Sequence, residues 1–145
     1  MIAIRYPEPA FRIKKEGGKD FIFDPFRKKW LVLTPEEWVR QNFLQFMVQE
    51  LNYPVALIAV EKEFRFGEMN RRFDILVYTK DHQPWLMVEC KAPEIELDQS
   101  VLEQVLRYNI SIPVNYLVIT NGSSGFAWQK GKELNPLAEM PAFPA

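Results

Sequence analysis

Three side chains in this sequence have the types and the spacing to handle a phosphate ester. Glu89 and Lys91 stand two residues apart in "LMVECKAP", residues 86–93, whose other members read as a buried strand. An unpaired charge buried there would cost on the order of several kcal/mol, so the pair needs a partner or a purpose. The preceding run "RRFDILVYT" carries Asp74. With the hairpin centred between Asp81 and His82, the opposed pairs are Tyr78 with Trp85, Leu76 with Met87, Asp74 with Glu89, and Arg72 with Lys91. Carboxylates opposed in this way lie about 5 Å apart at Cβ, and one of them stays protonated unless a cation sits between. Their hard oxygens suit Mg²⁺ or Mn²⁺. A lysine diagonal to the aspartate can orient a water or stabilise charge on a phosphoryl transition state. An ion-pair quartet, with Arg72 and Lys91 neutralising two acids, satisfies the same spacing, and spacing alone leaves both readings open.

The same register sorts the hairpin into faces. Phe73, Ile75, Val77, Leu86, Val88, Cys90 and Ala92 share one apolar face, which predicts a core-facing, inert Cys90 thiol. The other face is apolar near the turn and charged at its far end. Before the hairpin, Thr34-Pro35-Glu36-Glu37 predicts a helix start: Thr34 as N-cap, Pro35 at the first position, Glu37 closing a capping box. Trp38, Phe43, Phe46, Met47 and Leu51 continue it as an apolar stripe to Asn52-Tyr53-Pro54. "FIFDPFRKKWLVLT" predicts two short strands about an Asp24-Pro25 turn, and "ALIAVEKEFRF" a strand before the hairpin. After it come a helix over residues 98–108, a buried strand "NYLVITN" and a short strand "GFAWQK". The third strand, crossover helix and next strand form a βαβ unit, so those two strands should be parallel. Residues 1–20 are expected to be irregular and the tail 132–145 loose.

Bulk properties set limits. The 145 residues fit one domain, 1–145, and are 48% hydrophobic and 26% charged, an ordinary globular balance. Nothing approaches a membrane span or a secretory leader, which predicts no membrane partner. A single cysteine excludes a disulfide framework or thiolate metal cluster, and a reducing cytoplasm is the expected location. A net charge of −1 gives no global attraction for nucleic acid, though basic pairs occur at Lys14-Lys15, Lys28-Lys29 and Arg71-Arg72.

The segments "RFDILVY", "VECKAP" and "QVLRY", taken in order, resemble the PD-(D/E)XK nuclease superfamily. Within it the chain is most similar to the N-terminal nuclease domain of type I restriction enzyme R subunits, from about "FDPFRKKWLVLTPEEWVRQ" to "LVITNG". The resemblance implies an α/β fold: a restriction-endonuclease-like mixed sheet of four to five strands flanked by helices, with an α-β-β-β-α-β core. It implies Asp74, Glu89 and Lys91 as catalytic residues, with Asp74, Glu89 and the Cys90 carbonyl holding the metal ion. It also implies DNA as substrate, and a homodimer or other restriction or defence subunits as partners. Phe73 stands where the superfamily has proline, and no G-x-x-x-x-G-K-[ST] loop is present, so a nuclease-like domain without a translocase motor is expected.

Other residues carry two readings each. Glu37 is either an accessory acid near the metal or half of the capping box. Glu63 would oppose Asp74 if "GEMN" forms the preceding loop. Gln104 and Tyr108, one helical turn apart, would contact the nucleic-acid backbone or brace the lysine, or Tyr108 would simply face the core. Arg72 would bind a phosphate or pair with Glu89. His82 reads as a turn residue. A nuclease-derived module that binds DNA or protein without cutting is the competing function. Under the catalytic reading, Asp74→Ala should abolish cleavage and, by relieving repulsion, leave the fold intact or more stable.

Overall fold

A computed structural model describes residues 1–144, apart from the side chains of Phe64, Phe66 and Met69. The chain opens into a three-stranded antiparallel meander: β1 (Ile13–Glu16), β2 (Lys19–Asp24) and β3 (Lys29–Val32). Helix α1 (Pro35–Gln49) follows, then β4 (Ile58–Phe66), β5 (Met69–Tyr78), β6 (Pro84–Cys90), α2 (Gln99–Asn109), β7 (Tyr116–Thr120), β8 (Gly125–Lys130) and β9 (Leu134–Leu137). Strands β4 to β9 form one mixed sheet in sequence order. All its neighbours are antiparallel except β6 and β7, the pair predicted to be parallel.

The sheet is flanked by the two helices. Phe43, Leu44, Phe46 and Met47 of α1 bury against Ile75, Val77, Leu86, Val88 and Cys90 on one face. Leu106 of α2 covers Phe73, Leu76, Met87 and Leu117 on the other. The helix starts follow the sequence: Thr34 Oγ1 accepts from Glu37 N–H at 3.0 Å, and Asp98 Oδ1 from Val101 N–H at 2.9 Å. Among the described residues, no helix is long and apolar enough to cross a membrane.

Both ends are more ordered than predicted. The segment "KEGGKD" is a hairpin turn, with Gly17 and Gly18 at φ +60° and +78°, a conformation cheap for glycine that matches strand twist. Ile2, ahead of any regular element, is 5% exposed and donates its N–H to Gly125 O. At the other end β9 pairs with β8, and the six-stranded sheet replaces the expected four or five. Beyond it Met140 is buried, Tyr53 Oη–H donates to Pro141 O at 2.5 Å, and Phe143 packs edge-on against Trp85. Aromatic docking outweighs the irregular backbone that the prolines impose.

The β5–β6 register holds in the core, where Leu76 opposes Met87, but Tyr78 faces Pro84 rather than Trp85. A bulge between Val77 and Tyr78 absorbs a three-residue loop whose last member, His82, has φ +62°. His82 is thus an exposed turn residue, as expected.

Candidate active site

The site begins with a break in a ladder. Strands β4 and β5 pair at Lys62 with Phe73 and at Val60 with Ile75, while the intervening Glu61 and Asp74 drop out. Glu61 sits at φ +54°, a conformation that costs a residue with a Cβ about 1–3 kcal/mol. Phe73 therefore packs on the α2 face, against the prediction, and Ile75 on the α1 face. Asp74 also turns towards α1, so two successive side chains point the same way, as in a β-bulge.

What Asp74 meets there is Arg40, one turn into α1. Arg40 Nη2 lies 2.7 Å from Asp74 Oδ1, 2.9 Å from Glu61 Oε1 and 3.0 Å from Glu36 Oε1, and Nη1 lies 2.6 Å from Glu37 Oε1. Burial by itself would lower the Arg40 pKa, but the hydrogen bond and charge of Asp74, with Glu37, outweigh it and hold the guanidinium charged. The network runs on through Glu37 Oε2, which accepts from Arg27 at 2.7 Å and from Gln41 at 3.0 Å, to the fully buried Asp24, paired with Arg27. Glu37 thus completes only half of the expected capping box. Thr34 caps its N–H, while its carboxylate turns inward to the arginines.

Glu63 opposes Arg72 and not Asp74, because the β4–β5 turn is shorter than assumed, and Glu61 takes the place predicted for it. Arg72 bonds Glu61 Oε2 at 2.9 Å and is 72% exposed. The predicted quartet of Arg72 and Lys91 on Asp74 and Glu89 is therefore not formed; Asp74 is neutralised from the helix instead.

Glu89 and Lys91 stay close, with Nζ 3.6 Å from Oε2. Burial, then the charge on Asp74, push the Glu89 carboxyl up to about 7, and Lys91 relieves only part of this. The Asp74 Oδ2 atom accepts from Cys90 N–H at 2.7 Å, tying β5 to the end of β6. The Cys90 thiol is buried on the core face; burial and then Asp74 raise its pKa well above the ordinary value, which keeps it inert.

Among the described residues no three His, Cys, Asp or Glu side chains come together as a metal site. Asp74 and Glu89 are the pair available. A carboxylate offers about four lone-pair positions, and each Asp74 oxygen has given one to a donor. Among the described residues Glu89 has Lys91 alone as an ion-pair partner. The oxygens of both carboxylates are the hard ligands that a small divalent ion prefers.

Gln104 and Tyr108 face solvent. Tyr108 is 60% exposed, so its core-facing reading fails; Arg71 lies 4.2 Å over its ring. The residues that sequence reasoning missed are Arg40 and Glu61. Arg40 stands three and four positions after two glutamates, a spacing that reads as an ordinary surface ion pair. For Glu61 nothing in the sequence foretells a left-handed backbone within a strand.

Residues 35–144 match the type I restriction enzyme R protein N terminus family. The chain belongs to that family. A search of curated proteins gives no match. The matched span starts at the first residue of α1 and takes in Arg40, Glu61, Asp74, Glu89 and Lys91. Membership in the type I restriction R-protein family makes the chain restriction-related; the β1–β3 meander lies ahead of the matched span.

Proposed function

We propose that the chain is a metal-dependent DNA endonuclease domain of the PD-(D/E)XK type. In this reading Asp74, Glu89 and the Cys90 carbonyl hold Mg²⁺ or Mn²⁺, and Lys91 acts at the scissile phosphate. The observation that carries the proposal is Glu89, a carboxyl pushed up to about 7 by burial and by Asp74, with Lys91 at its side. Perturbed acids of this kind mark places where charge is held ready for a ligand. The ion, when bound, supplies a water of lowered pKa and neutralises phosphate charge.

The chain's own groups do the positioning. Lys91 is one-third exposed, so its ammonium can hold a non-bridging phosphate oxygen and orient the attacking water. Arg40 and the Cys90 N–H hold both oxygens of Asp74, which sets the angle of that carboxylate. The exposure of Arg72, Gln104 and Tyr108 supports their contact with the nucleic-acid backbone in this reading. Glu37 is fully engaged by Arg27, Arg40 and Gln41, and serves the reading as a support for Arg40. Glu63, paired across from Arg72, has no part in it. The proposed partners are DNA, a second copy cutting the opposite strand, and other restriction or defence subunits.

The test is incubation with supercoiled plasmid, single-stranded DNA and RNA, each with Mg²⁺, Mn²⁺ or chelator. Cleavage of DNA that needs metal and is lost in Asp74→Asn and Lys91→Ala supports the reading. Equal cleavage by Asp74→Asn overturns it. One observation favours the second reading, a binding module that does not cut: the Arg40–Asp74 ion pair already neutralises one of the two acids. Thermal stability with Mn²⁺ separates the two. A stabilisation lost in Glu89→Ala supports the metal site, and no shift at millimolar metal favours the module.

A further inference from the structure

The meander carries a surface that the candidate active site does not use. Residues 12–32 hold seven lysines and arginines against three acids, whereas the whole chain holds 18 against 19. Two of the three basic pairs that look like scattered surface charge in the sequence, Lys14-Lys15 and Lys28-Lys29, thus fall on one small sheet and its turn. Register divides its faces. Ile13, Ile22 and Leu31 align on one side, where Ile22 is fully buried; Lys14 with Phe21, and Phe23 with Trp30, align on the other. Arg12 extends that outer face, since its carbonyl accepts from Phe23 N–H.

The outer face interleaves rings and cations. The Arg12 guanidinium lies 4.7 Å over Phe23 and 5.3 Å from the Trp30 ring, and Lys14 Nζ lies 4.4 Å over Trp30. Phe23 and Trp30 meet edge to face at 5.5 Å, and Phe21 and Lys19 continue the row along β2. The one acid of this face, Glu16, is taken up by Lys14 at 3.2 Å. Arg12, Lys14 and Lys19 are exposed, and the three aromatic rings are only half-buried.

We propose that this outer face binds single-stranded nucleic acid, with bases stacking on Trp30, Phe23 and Phe21 and phosphates meeting Arg12, Lys14 and Lys19. Rings alternating with long cations along a sheet match the chemistry of a single strand, which offers a free base face and a phosphate at each step. A duplex keeps its base faces stacked inside and offers only the phosphates. An acidic peptide would satisfy the cations and leave the rings without partners. The cations now over the rings are long and exposed, so they can swing to phosphates and free the ring faces. The surface lies ahead of the matched family span and does not depend on cleavage.

The experiment uses the full chain in chelator, with a fluorescein-labelled mixed-sequence single strand and the same sequence as duplex, read by anisotropy. Tryptophan emission is followed with the unlabelled strand. The expected result is single-strand binding that weakens steeply with salt, quenches emission, and falls about tenfold in Trp30→Ala. Trp30→Phe should retain most of the affinity. The Arg12→Glu/Lys14→Glu variant should bind more weakly still, with a shallower salt slope, while Lys80→Glu, in an exposed turn, serves as the charge control. Circular dichroism and thermal melting establish that each variant is folded. The proposal is overturned by absence of single-strand binding at low salt, by a folded Trp30→Ala that binds like the parent, or by an equal loss in Lys80→Glu. Tighter duplex binding without quenching overturns it too. Binding is read in chelator, without cleavage, and its loss is placed at Trp30, so failure of the nuclease reading and failure of this one give different results.

Discussion

Glu89→Gln tests the electrostatics of the site without any metal. The Glu89 carboxyl is 26% exposed, and burial with the nearby Asp74 charge lifts it from its ordinary 4.5 to about 7. A raised acid binds its proton more tightly in the folded chain than in the unfolded one. Stability therefore falls as pH rises from about 4.5 to about 7, and levels off above. At 1.36 kcal/mol per pKa unit the loss is about 3 kcal/mol. Glutamine keeps the shape and hydrogen-bonding capacity and cannot ionise, so it removes this dependence. Urea denaturation of both proteins in chelator should give similar stabilities near pH 4.5. By pH 8 the variant should be more stable by about 3 kcal/mol, or roughly 6–12 °C in melting temperature. Groups that titrate alike in both proteins cancel in the difference. Parallel pH profiles over this range would refute the reasoning, because they would mean that neither burial nor Asp74 burdens Glu89. Adding Asp74→Asn to both should shrink the difference, leaving the part due to burial.

Four further changes probe the same framework. Arg40→Met should cost about 3–5 kcal/mol at pH 7 by urea denaturation, since it strands several acids at once, and the cost should shrink in acid. Asp74→Ala should destabilise by about 1–3 kcal/mol, the reverse of the gain expected from repulsion alone, because Arg40 loses a partner and Cys90 N–H its acceptor. Glu61→Gly should be more stable than Glu61→Ala by about 1 kcal/mol, although glycine normally weakens a strand, because of the φ of +54°; chemical denaturation of the two variants decides. Phe143→Ala should lower stability by about 1–2 kcal/mol through lost contact with Trp85 and Tyr53, whereas a loose tail would show no change.

The core was legible because its signals are local and repeated. Alternation over residues 73–90 gave the Leu76–Met87 register, the Thr34-Pro35 cap located α1, and α2 lies where residues 98–108 read as a helix. The ends were not legible, because prolines and glycines announce turns but say nothing of what docks on them: β1 hinges on two left-handed glycines, and the tail on Phe143 and Met140. In the site, Glu89 and Lys91 could be placed from the sequence because they share a strand. The partner of Asp74 could not. It depends on a break opposite Glu61 and on a helix residue 34 positions earlier, and neither leaves a periodic trace.

Charge counting explains why so many acids can stand together in this fold. Asp24, Glu36, Glu37, Glu61, Asp74 and Glu89 are linked by ion pairs or by mutual repulsion, and they face Arg27, Arg40, Arg72 and Lys91. Six negative groups against four positive leave the cluster two charges short, which adds to the burial that already lifts the Glu89 carboxyl to about 7. The arginines are concentrated on the α1 side, at Asp24, Glu37 and Asp74, so the imbalance gathers at the end of β6, where among the described residues Glu89 pairs with Lys91 alone, at 3.6 Å. A divalent ion held there, as proposed, would carry the missing charge. Arg40, at 2.7 Å from Oδ1, would disfavour such an ion on that side of Asp74. The buried guanidinium is thus a fixed counter-charge, 2.7 Å from Asp74 Oδ1, that is in place before any ligand arrives.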